Sequence, residues 1–384
     1  MKPRLLAQWP STGRIARLAV RAMMKELEQF DSLQRDGFVI VRNVLPAKNA
    51  DDLRNYVNSY LSDTISGIAD GRLDPADDLF GATAPLADYG TVAHRWNLLL
   101  PMAPVVLECL EAVLSHLAPL FERACGSDAE LCDLSALIVD PGSEIQQLHF
   151  DTRYSDVSTP KSDEQHWDDD EVTMHAEVRS LQAQKRLVTA FVAVQDVADN
   201  MAPTEIVPGT ANAAVHDEVV AATASGKEAI HSLIGRITCD GALAAVKRCI
   251  LAKGDIVLMD SRALHRGTAN NSTMRRILFD FAFVGRKVVP STYCQCIKAD
   301  LIDRFTLADF TREDGYEARR AALATVPARS SGDSERACVH DQGPHVTAAS
   351  VEAACLEDAG SDCDDICMPS FEEVEAAPFG VPLM

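Results

Sequence analysis

The sequence predicts a mainly β domain with flanking helices and a barrel-like antiparallel core. Short apolar runs rich in β-branched and aromatic residues recur along the chain, and turn signals such as Asp140-Pro141-Gly142 separate them. Helical periodicities lie toward the N-terminal side. Candidate metal ligands fall near the ends of the apolar runs, as expected when the strands of a barrel carry a site at one mouth.

Length and composition bound the class of protein. The chain has 384 residues, 47% of them hydrophobic, and a mean hydropathy of -0.04, which is typical of a soluble globular protein. Its formal net charge of -21 argues against a nucleic-acid backbone or an anionic membrane surface as partner. No apolar stretch is expected to reach the roughly 18 residues of a membrane span. The oligomeric state stays open.

Three segments are expected along the chain. Residues 1–26 form a basic segment without an acid before Glu26, which is typical both of an organelle transit peptide and of an ordinary solvated first helix. Residues 27–325 form the main domain. Residues 326–384 form an acidic, disordered tail, because residues 331–384 hold twelve acidic residues against one basic residue, Arg336, with too little apolar surface to fold.

The cysteines indicate a reducing compartment. There are eleven, and they are scattered without a Cys-x-x-Cys pair or histidines at zinc spacing. Reduced thiols and a cytoplasmic location are therefore expected, with organelle import by the basic N-terminus as the alternative location. A redox pair in the tail, Cys363 and Cys367, is the alternative for the thiols.

Local patterns predict the first elements of the main domain. Asp36-Gly37 precedes a strand at Phe38–Val41. Helical spacing of apolar residues predicts helices over Ala47–Leu61 and Val105–Phe121. The polar stretch Ile65–Tyr89 between these helices is expected to be a loop.

Strands dominate the rest of the domain. The run Leu134–Val139 precedes the first candidate ligands, and Leu187–Val194 is the clearest strand pattern. Between them the polar stretch Thr152–Lys185 reads as a solvated insertion where a substrate lid would sit. Val215–Gly235 is expected to be a helical excursion. The remaining predicted strands are Arg248–Leu251, Asp255–Met259 and Ile277–Val284.

The stretch Gln146–Asp151 contains the first candidate metal ligands. In an extended segment, the two-residue period puts the side chains of His149 and Asp151 on one face, where one metal ion can bind both. His265, 114 positions after Asp151, is the third candidate. Two histidines and one carboxylate with open positions are the ligand set of non-haem Fe(II) oxygenases.

Arg276 follows His265 by 11 positions and opens an apolar run. An arginine there can hold a carboxylate through two parallel N–H bonds, which a lysine does less specifically. Only one of Arg275 and Arg276 can point into a barrel, because successive side chains of a strand face opposite sides. The alternation agrees with Arg276 as the inward residue, because its face also carries Asp280, as a polar pocket wall would.

The pieces together resemble the phytanoyl-CoA dioxygenase family. The similarity lies in four stretches that occur in the family's order over roughly residues 27–290. They are Phe30–Leu45 with its Asp36-Gly37-Phe38, Gln146-x-x-His149-x-Asp151, Phe191–Asp196 followed by Ala202–Thr210, and Gly254-Asp255 with His265, Asn270 and Arg276. Two departures are Ala202 and Ala211, where the family often has Gly and His.

The resemblance implies a fold and an activity. It implies a double-stranded β-helix, or cupin-like jelly roll, that binds Fe(II) through His149, Asp151 and His265. It further implies 2-oxoglutarate and O2 as co-substrates, with Arg276 and Gln146 as co-substrate contacts, and a small organic molecule as substrate. The family's spacing from the second histidine favours Arg276 over Arg275 as the contact. Since halogenating relatives carry a small residue in place of Asp151, hydroxylation is the expected reaction.

Alternatives remain at three points. The same fold could serve a non-catalytic metal-binding protein with the acidic tail as its interaction element. The same ligands could hold Zn2+ in a hydrolase, which would need no arginine at 276. The stretch His94-Arg95-Trp96-Asn97 could contact substrate or co-substrate, although packing at a loop edge is the commoner role for such residues.

Overall fold

The computed structural model describes residues 14–79, 94–146, 148–152, 186–225, 246–285 and 295–311. The chain divides into two compact units, Met1–Asp341 and Gln342–Met384. The second unit, the expected acidic tail and nearly all of the expected polar insertion lie outside the described residues, and so do residues 1–13 of the basic N-terminal segment.

The N-terminal part of the described domain is mainly helical. Its elements are α1 (Arg14–Asp36), β1 (Phe38–Val41), α2 (Ala47–Ala69), α3 (Pro75–Asp78), β2 (Arg95–Leu99) and α4 (Pro104–Cys125). The rest is mainly strand: β3 (Glu130–Val139), β4 (Leu187–Ala193), β5 (Thr204–Ile206), α5 (Ala213–Ser225), β6 (Lys247–Arg248), β7 (Ile256–Asp260), β8 (His265–Gly267) and β9 (Arg276–Val284). A 3-10 turn (Ala299–Leu301) and α6 (Leu307–Thr311) follow.

Two antiparallel sheets form the core. The larger has the order β1-β7-β4-β9-β3-β2, and the smaller has the order β6-β5-β8. From β4 onward the chain passes from the larger sheet to the smaller for β5 and β6, and then alternates through β7, β8 and β9. This alternation is that of a double-stranded β-helix, so the mainly β jelly-roll fold with flanking helices is confirmed.

The two faces of β9 have different neighbours. Phe279, Phe281 and Phe283 point to the outer face, where the Phe121 ring of α4 lies 5.8 Å from the Phe281 ring and 5.2 Å from the Phe283 ring. Leu278 points the other way and packs with Ile206 of the smaller sheet. The residues that alternate with the phenylalanines therefore face the interior between the sheets.

Helix α2 is longer than the sequence predicts. It was expected to end at Leu61, and it continues to Ala69, so the first part of the expected loop Ile65–Tyr89 is helical. The extra turns form because Ile65 and Ile68 pack against the core. Gly71 follows the end of the helix at φ +68°, a left-handed conformation that is unfavourable for residues with a side chain.

The apolar stripe predicted for α4 is confirmed, because its members are buried in the core. By length and composition alone this helix would also pass for a membrane span, so the expectation that no stretch is apolar enough is wrong on that criterion. Ten of its residues are buried within the domain, as in a core helix that covers a sheet.

Candidate metal centre

His149 and His265 face each other across a backbone bridge. The amide of each donates to the carbonyl of the other, at N···O distances of 2.9 and 3.0 Å. Their ring centroids are 4.4 Å apart. The pairing next to β8 thus brings together two histidines that are 116 positions apart in the chain.

Asp151 lies in a bend rather than in the regular strand that the alternation argument assumed. Its amide donates to the Ser261 carbonyl at 3.0 Å, and the Thr152 amide donates to the same oxygen at 3.2 Å. The hydroxyls of Thr152 and Ser261 are 2.5 Å apart in a hydrogen bond. These contacts turn the chain, and the Asp151 carboxylate still meets the two imidazoles.

The three side chains are arranged as metal ligands. One ligand atom from each lies within 4.8 Å of the other two. Asp151 Oδ1 is 3.8 Å from His149 Nε2, and Asp151 Oδ2 is 3.6 Å from His265 Nε2. Adjacent ligands of an octahedral ion stand about 3 Å apart, so a small contraction would give coordination distances. Among the described residues no second group of this kind occurs.

The surroundings of the triad leave one side of it open. Nδ1 of His265 lies 3.0 Å from the Ala263 carbonyl, and as a donor to this oxygen it leaves Nε2 for a metal. The His265 side chain is only 7% exposed, whereas those of His149 and Asp151 are 41% and 30% exposed. Positions on an ion would therefore remain for further ligands.

Arg275 and Arg276 point to opposite sides of β9. Arg275 lies outside, where its Nε and Nη2 donate to Asp140 at 2.5 and 2.9 Å. Arg276 is 3% exposed, and its Nε and Nη1 have no hydrogen-bond partner in the part of the chain that the structure describes. The structure thus places Arg276, as predicted, on the interior face of β9.

Arg95 is a second buried cation beside Arg276. Both residues pair with Val139 of β3, from its two sides, and so share the interior face. Burial and then the charge of Arg95 lower the pKa of Arg276 to about 9, and burial lowers the pKa of Arg95 to about 10. Two desolvated guanidinium groups favour an anion between them.

The Arg95 side chain is held in place by main-chain carbonyls. Its Nη2 donates to Glu144 at 2.7 Å and to Thr268. From the sequence, Arg95 was either a pocket contact or a residue packed at a loop edge, and the structure buries it on the interior face beside Arg276. Nothing local in the sequence distinguishes the two, because the position of Arg95 follows from the pairing of β2 with β3.

Gln146 lies beside Arg95. Its main-chain amide donates to the Gly267 carbonyl at 2.9 Å, and its side-chain Oε1 accepts from the main-chain amide of Gly267 at 3.0 Å. A Cβ on Gly267 would come within 2.6 Å of both Arg95 Nη1 and Gln146 Oε1. Gly267 therefore leaves the room that these two side chains use.

The interior face of β9 also carries an acid. Asp280 is 4% exposed, and its Oδ2 accepts a hydrogen bond of 3.0 Å from the Ser135 hydroxyl. Burial and then the charge of Asp133 raise the pKa of Asp280 well above its usual range. Asp280 was expected to share a face with Arg276, but the sequence assigned it no role.

Asn270 and Ala202 shape the loops around the site. The side-chain amide of Asn270 donates to the main-chain carbonyls of Val139 and Met274, both at 2.9 Å. These two hydrogen bonds fix the turn between β8 and β9. Ala202 is fully buried at φ +50°, a left-handed conformation that suits Gly better. Ala202, where the family often has Gly, therefore occupies a position that requires a positive φ.

Comparisons with known proteins identify the family. The model of the phytanoyl-CoA dioxygenase family matches residues 33–278. No curated protein matches the chain. Solved structures similar to this chain include HygX from Streptomyces hygroscopicus with nickel and 2-oxoglutarate bound, at 14% identity and a TM-score of 0.43 over 68% of this chain and 87% of HygX.

AviO1 from Streptomyces viridochromogenes Tue57 is similar at 16% identity and a TM-score of 0.43, over 69% of this chain and 97% of AviO1. The alpha ketoglutarate-dependent epimerase SnoN from nogalamycin biosynthesis has 17% identity and a TM-score of 0.43, over 68% of this chain and 82% of SnoN. The family match spans more than half of the sequence and contains all three candidate ligands and Arg276. The chain belongs to the phytanoyl-CoA dioxygenase family.

Proposed function

We propose that this chain is an Fe(II)- and 2-oxoglutarate-dependent oxygenase that hydroxylates a small organic molecule. The observation that carries the proposal is the pairing of an open His149, Asp151 and His265 group with a buried, unsatisfied Arg276 on the facing strand. A metal site alone is found in many protein classes. A metal site with a desolvated arginine beside it suits a ligand that carries a carboxylate at each end.

The donor set fits Fe(II). Two imidazoles and one carboxylate on one side of an octahedral ion leave three positions, and His265 is already oriented with Nε2 toward the group. These three residues would hold the iron. With 2-oxoglutarate and O2 bound, iron of this type supplies the oxidising chemistry that converts a C–H bond into C–OH while 2-oxoglutarate becomes succinate and CO2.

The protein's own residues would position the co-substrate and exclude water from one end of it. Arg276 would hold the far carboxylate through Nε and Nη1, which have no partner among the described residues. Arg95 would add a second positive charge while its Nη2 stays fixed on carbonyl oxygens. Gln146 would line the same end of the pocket, where it receives the Gly267 amide.

The alternatives fit these contacts less well. A Zn2+ hydrolase with these ligands would need no buried arginine at position 276. A non-catalytic binding protein would not need Arg276, whose burial without a hydrogen-bonded anion is unfavourable for folding. The cytoplasmic location inferred from the reduced cysteines remains part of the proposal. In support of it, the buried cysteines Cys109, Cys125, Cys132 and Cys249 are free thiols.

The test has a binding arm and a turnover arm. Calorimetry on the purified chain should show 2-oxoglutarate binding that requires a divalent metal. With Fe(II) and O2, succinate formation should be stimulated by a small-molecule extract, and mass spectrometry should find a product heavier by one oxygen atom. If metal-loaded protein does not bind 2-oxoglutarate, the proposal is wrong.

A further inference from the structure

The interior of the larger sheet carries a polar cluster that the proposed reaction does not use. We call it the acidic wall, and it consists of Asn97 of β2, Asp133 and Ser135 of β3, and Asp280 of β9. Asp280 pairs directly with Ser135 across the strands, and Asn97 lies on the next strand. All four positions alternate with residues of the outer core, so they face the interior between the sheets.

The acidic wall presents hydrogen-bond acceptors. Ser135 donates to Asp280 Oδ2 at 3.0 Å, and the Cys296 amide donates to Asp133 Oδ1 at 2.8 Å. Asn97 uses its amide nitrogen on the Cys296 sulfur at 3.4 Å. These contacts consume the donors of the cluster and leave further acceptor oxygens facing the interior.

Two of those oxygens lack any partner among the described residues. They are Asp280 Oδ1 and Asn97 Oδ1, which belong to different strands and to side chains of different charge. No ion pair to Asp280 occurs within the described ranges, although Asp280 is 4% exposed. Buried acceptors of this kind are normally satisfied, so two of them on one face of the sheet indicate a missing donor.

The acidic wall lies midway along β9, between Arg276 at the start of the strand and Val284 at its far end. Along β9, Asp280 is four residues from Arg276, which is about 13 Å at the rise of a strand. In the segment Gln146–Asp151, the main-chain amide of Asp151 donates to the Ser261 carbonyl. The Ser261 amide donates to the Leu187 carbonyl, and Leu187 pairs with the far end of β9. Gln146, at the other end of that segment, lies beside Arg95.

The interior is therefore electrically divided. Arg95 and Arg276 make one end suitable for an anion, and Asp280 with Asp133 makes the other end suitable for a cation. The metal group lies on the opposite side of the interior, where His265 belongs to the smaller sheet. A dianionic co-substrate and a cationic substrate would each be drawn to its own end, with the substrate's reacting carbon beside the metal.

We propose that Asp280, assisted by Asn97 and Asp133, binds a protonated amine of the substrate, so that this enzyme acts on small molecules that carry an ammonium group. This inference rests on the proposed function. An ammonium group brings several donors and a positive charge, which satisfies the free acceptors and offsets the buried carboxylate. A neutral hydroxyl would supply one donor and leave the carboxylate without a counter-charge.

The test compares two probes of equal shape. Calorimetry on the full chain holding Ni(II) and 2-oxoglutarate would measure binding of benzylamine and of benzyl alcohol. We expect benzylamine to bind at least about tenfold more tightly, on the scale of a charge-assisted hydrogen bond. Asp280→Asn keeps the shape and the acceptor for Ser135 but removes the charge, and should reduce the preference to less than about threefold.

Two further variants complete the design. Asp199→Asn is the matched control, because Asp199 pairs with Arg248 at the surface, and it should keep the preference of the wild type. Asp133→Asn replaces Asp280→Asn if the latter does not fold. Asp280→Asn should also melt no lower than the wild type, because the raised pKa of Asp280 keeps the buried acid neutral without a ligand and the amide is neutral and of the same shape, whereas a purely structural aspartate would lower the melting temperature.

The outcomes separate the two proposals. If the wild type binds 2-oxoglutarate but shows no preference for benzylamine, or if Asp280→Asn keeps that preference, the amine site is wrong and the oxygenase assignment stands. If the metal-loaded wild type does not bind 2-oxoglutarate at all, the assignment itself fails. Asp280→Asn should bind 2-oxoglutarate as the wild type does, because Arg276 is intact.

Discussion

Arg275 and Arg276 are consecutive in the chain, yet only Arg276 reaches the interior of the barrel. Arg275 makes two hydrogen bonds to the Asp140 carboxylate on the outside, while Arg276 is buried beside Arg95. The alternation of β9 forces this division. This orientation allows only Arg276 to serve as the co-substrate anchor. The family's spacing from His265 favoured Arg276 but did not exclude Arg275.

Arg276→Ala should therefore weaken 2-oxoglutarate binding strongly. Loss of a charge-assisted contact with a desolvated carboxylate costs roughly 2–4 kcal/mol, which is about 30-fold or more in the apparent KM. Arg275→Ala should change the apparent KM by less than about threefold and lower stability instead, since Asp140 loses its ion-pair partner. The reverse pattern in steady-state kinetics would move the anchor to Arg275.

The metal ligands can be tested individually by iron binding. His149→Ala, Asp151→Ala and His265→Ala should each lower Fe(II) affinity by at least about tenfold and abolish turnover, because each removes one of three protein ligands. His116→Ala, at an exposed position of α4, is the control and should behave as the wild type. Near-normal iron affinity in equilibrium dialysis would remove that residue from the ligand set.

Gly267→Ala should affect binding more than folding. Its Cβ would lie 2.6 Å from Arg95 Nη1 and Gln146 Oε1, and both are the ends of side chains that can move. We expect a melting temperature within a few degrees of the wild type but roughly tenfold weaker 2-oxoglutarate binding, since Arg95 is displaced. The double variant with Gln146→Ala removes one of the two clashes and should recover part of the affinity. Unchanged affinity in Gly267→Ala would mean that Arg95 does not act on the co-substrate.

Ala202→Gly should stabilise the protein. Ala202 has φ +50°, which costs a side chain roughly 1–2 kcal/mol, and glycine removes this strain at the expense of about 0.5–1 kcal/mol of unfolded-state entropy. A net gain of up to about 1 kcal/mol in the free energy of unfolding is expected from denaturant titration. Ala252→Gly, at an exposed residue without positive φ, should instead destabilise by a similar amount. A loss of stability in Ala202→Gly would show that the methyl group contributes more through packing than it costs in strain.

Removal of the acidic C-terminal segment should leave the domain intact. A chain ending at Pro327 should melt and turn over as the full chain does, because the removed segment is strongly acidic and has few large apolar residues. A chain ending at Gly285 should not fold, since it also loses Ile297, Leu301, Phe305, Leu307 and Phe310 from the core. A large loss of turnover after the first truncation would place the segment at the active site.

The sequence by itself determined the features that depend on local pattern and spacing. Short apolar runs marked β4 and β9 as strands, and two-residue alternation put Arg276 and Asp280 on one face of β9. Helical spacing marked the buried stripe of α4. The ordered motifs around His149 and His265 indicated the family. These patterns can be recognised without a structure because each lies within one segment of the chain.

The tertiary structure decided everything that depends on which segments meet. The bridge between His149 and His265, the bend that Ser261 imposes on Asp151, and the burial of Arg95 beside Arg276 all come from contacts across long stretches of chain. The register of β2, β3 and β9 likewise brings Asn97 and Asp280 to one wall. The local sequence determines on which face of a strand a side chain lies. Its neighbours across the barrel depend on strand pairing, and the pairing of distant segments is determined by how the whole core packs.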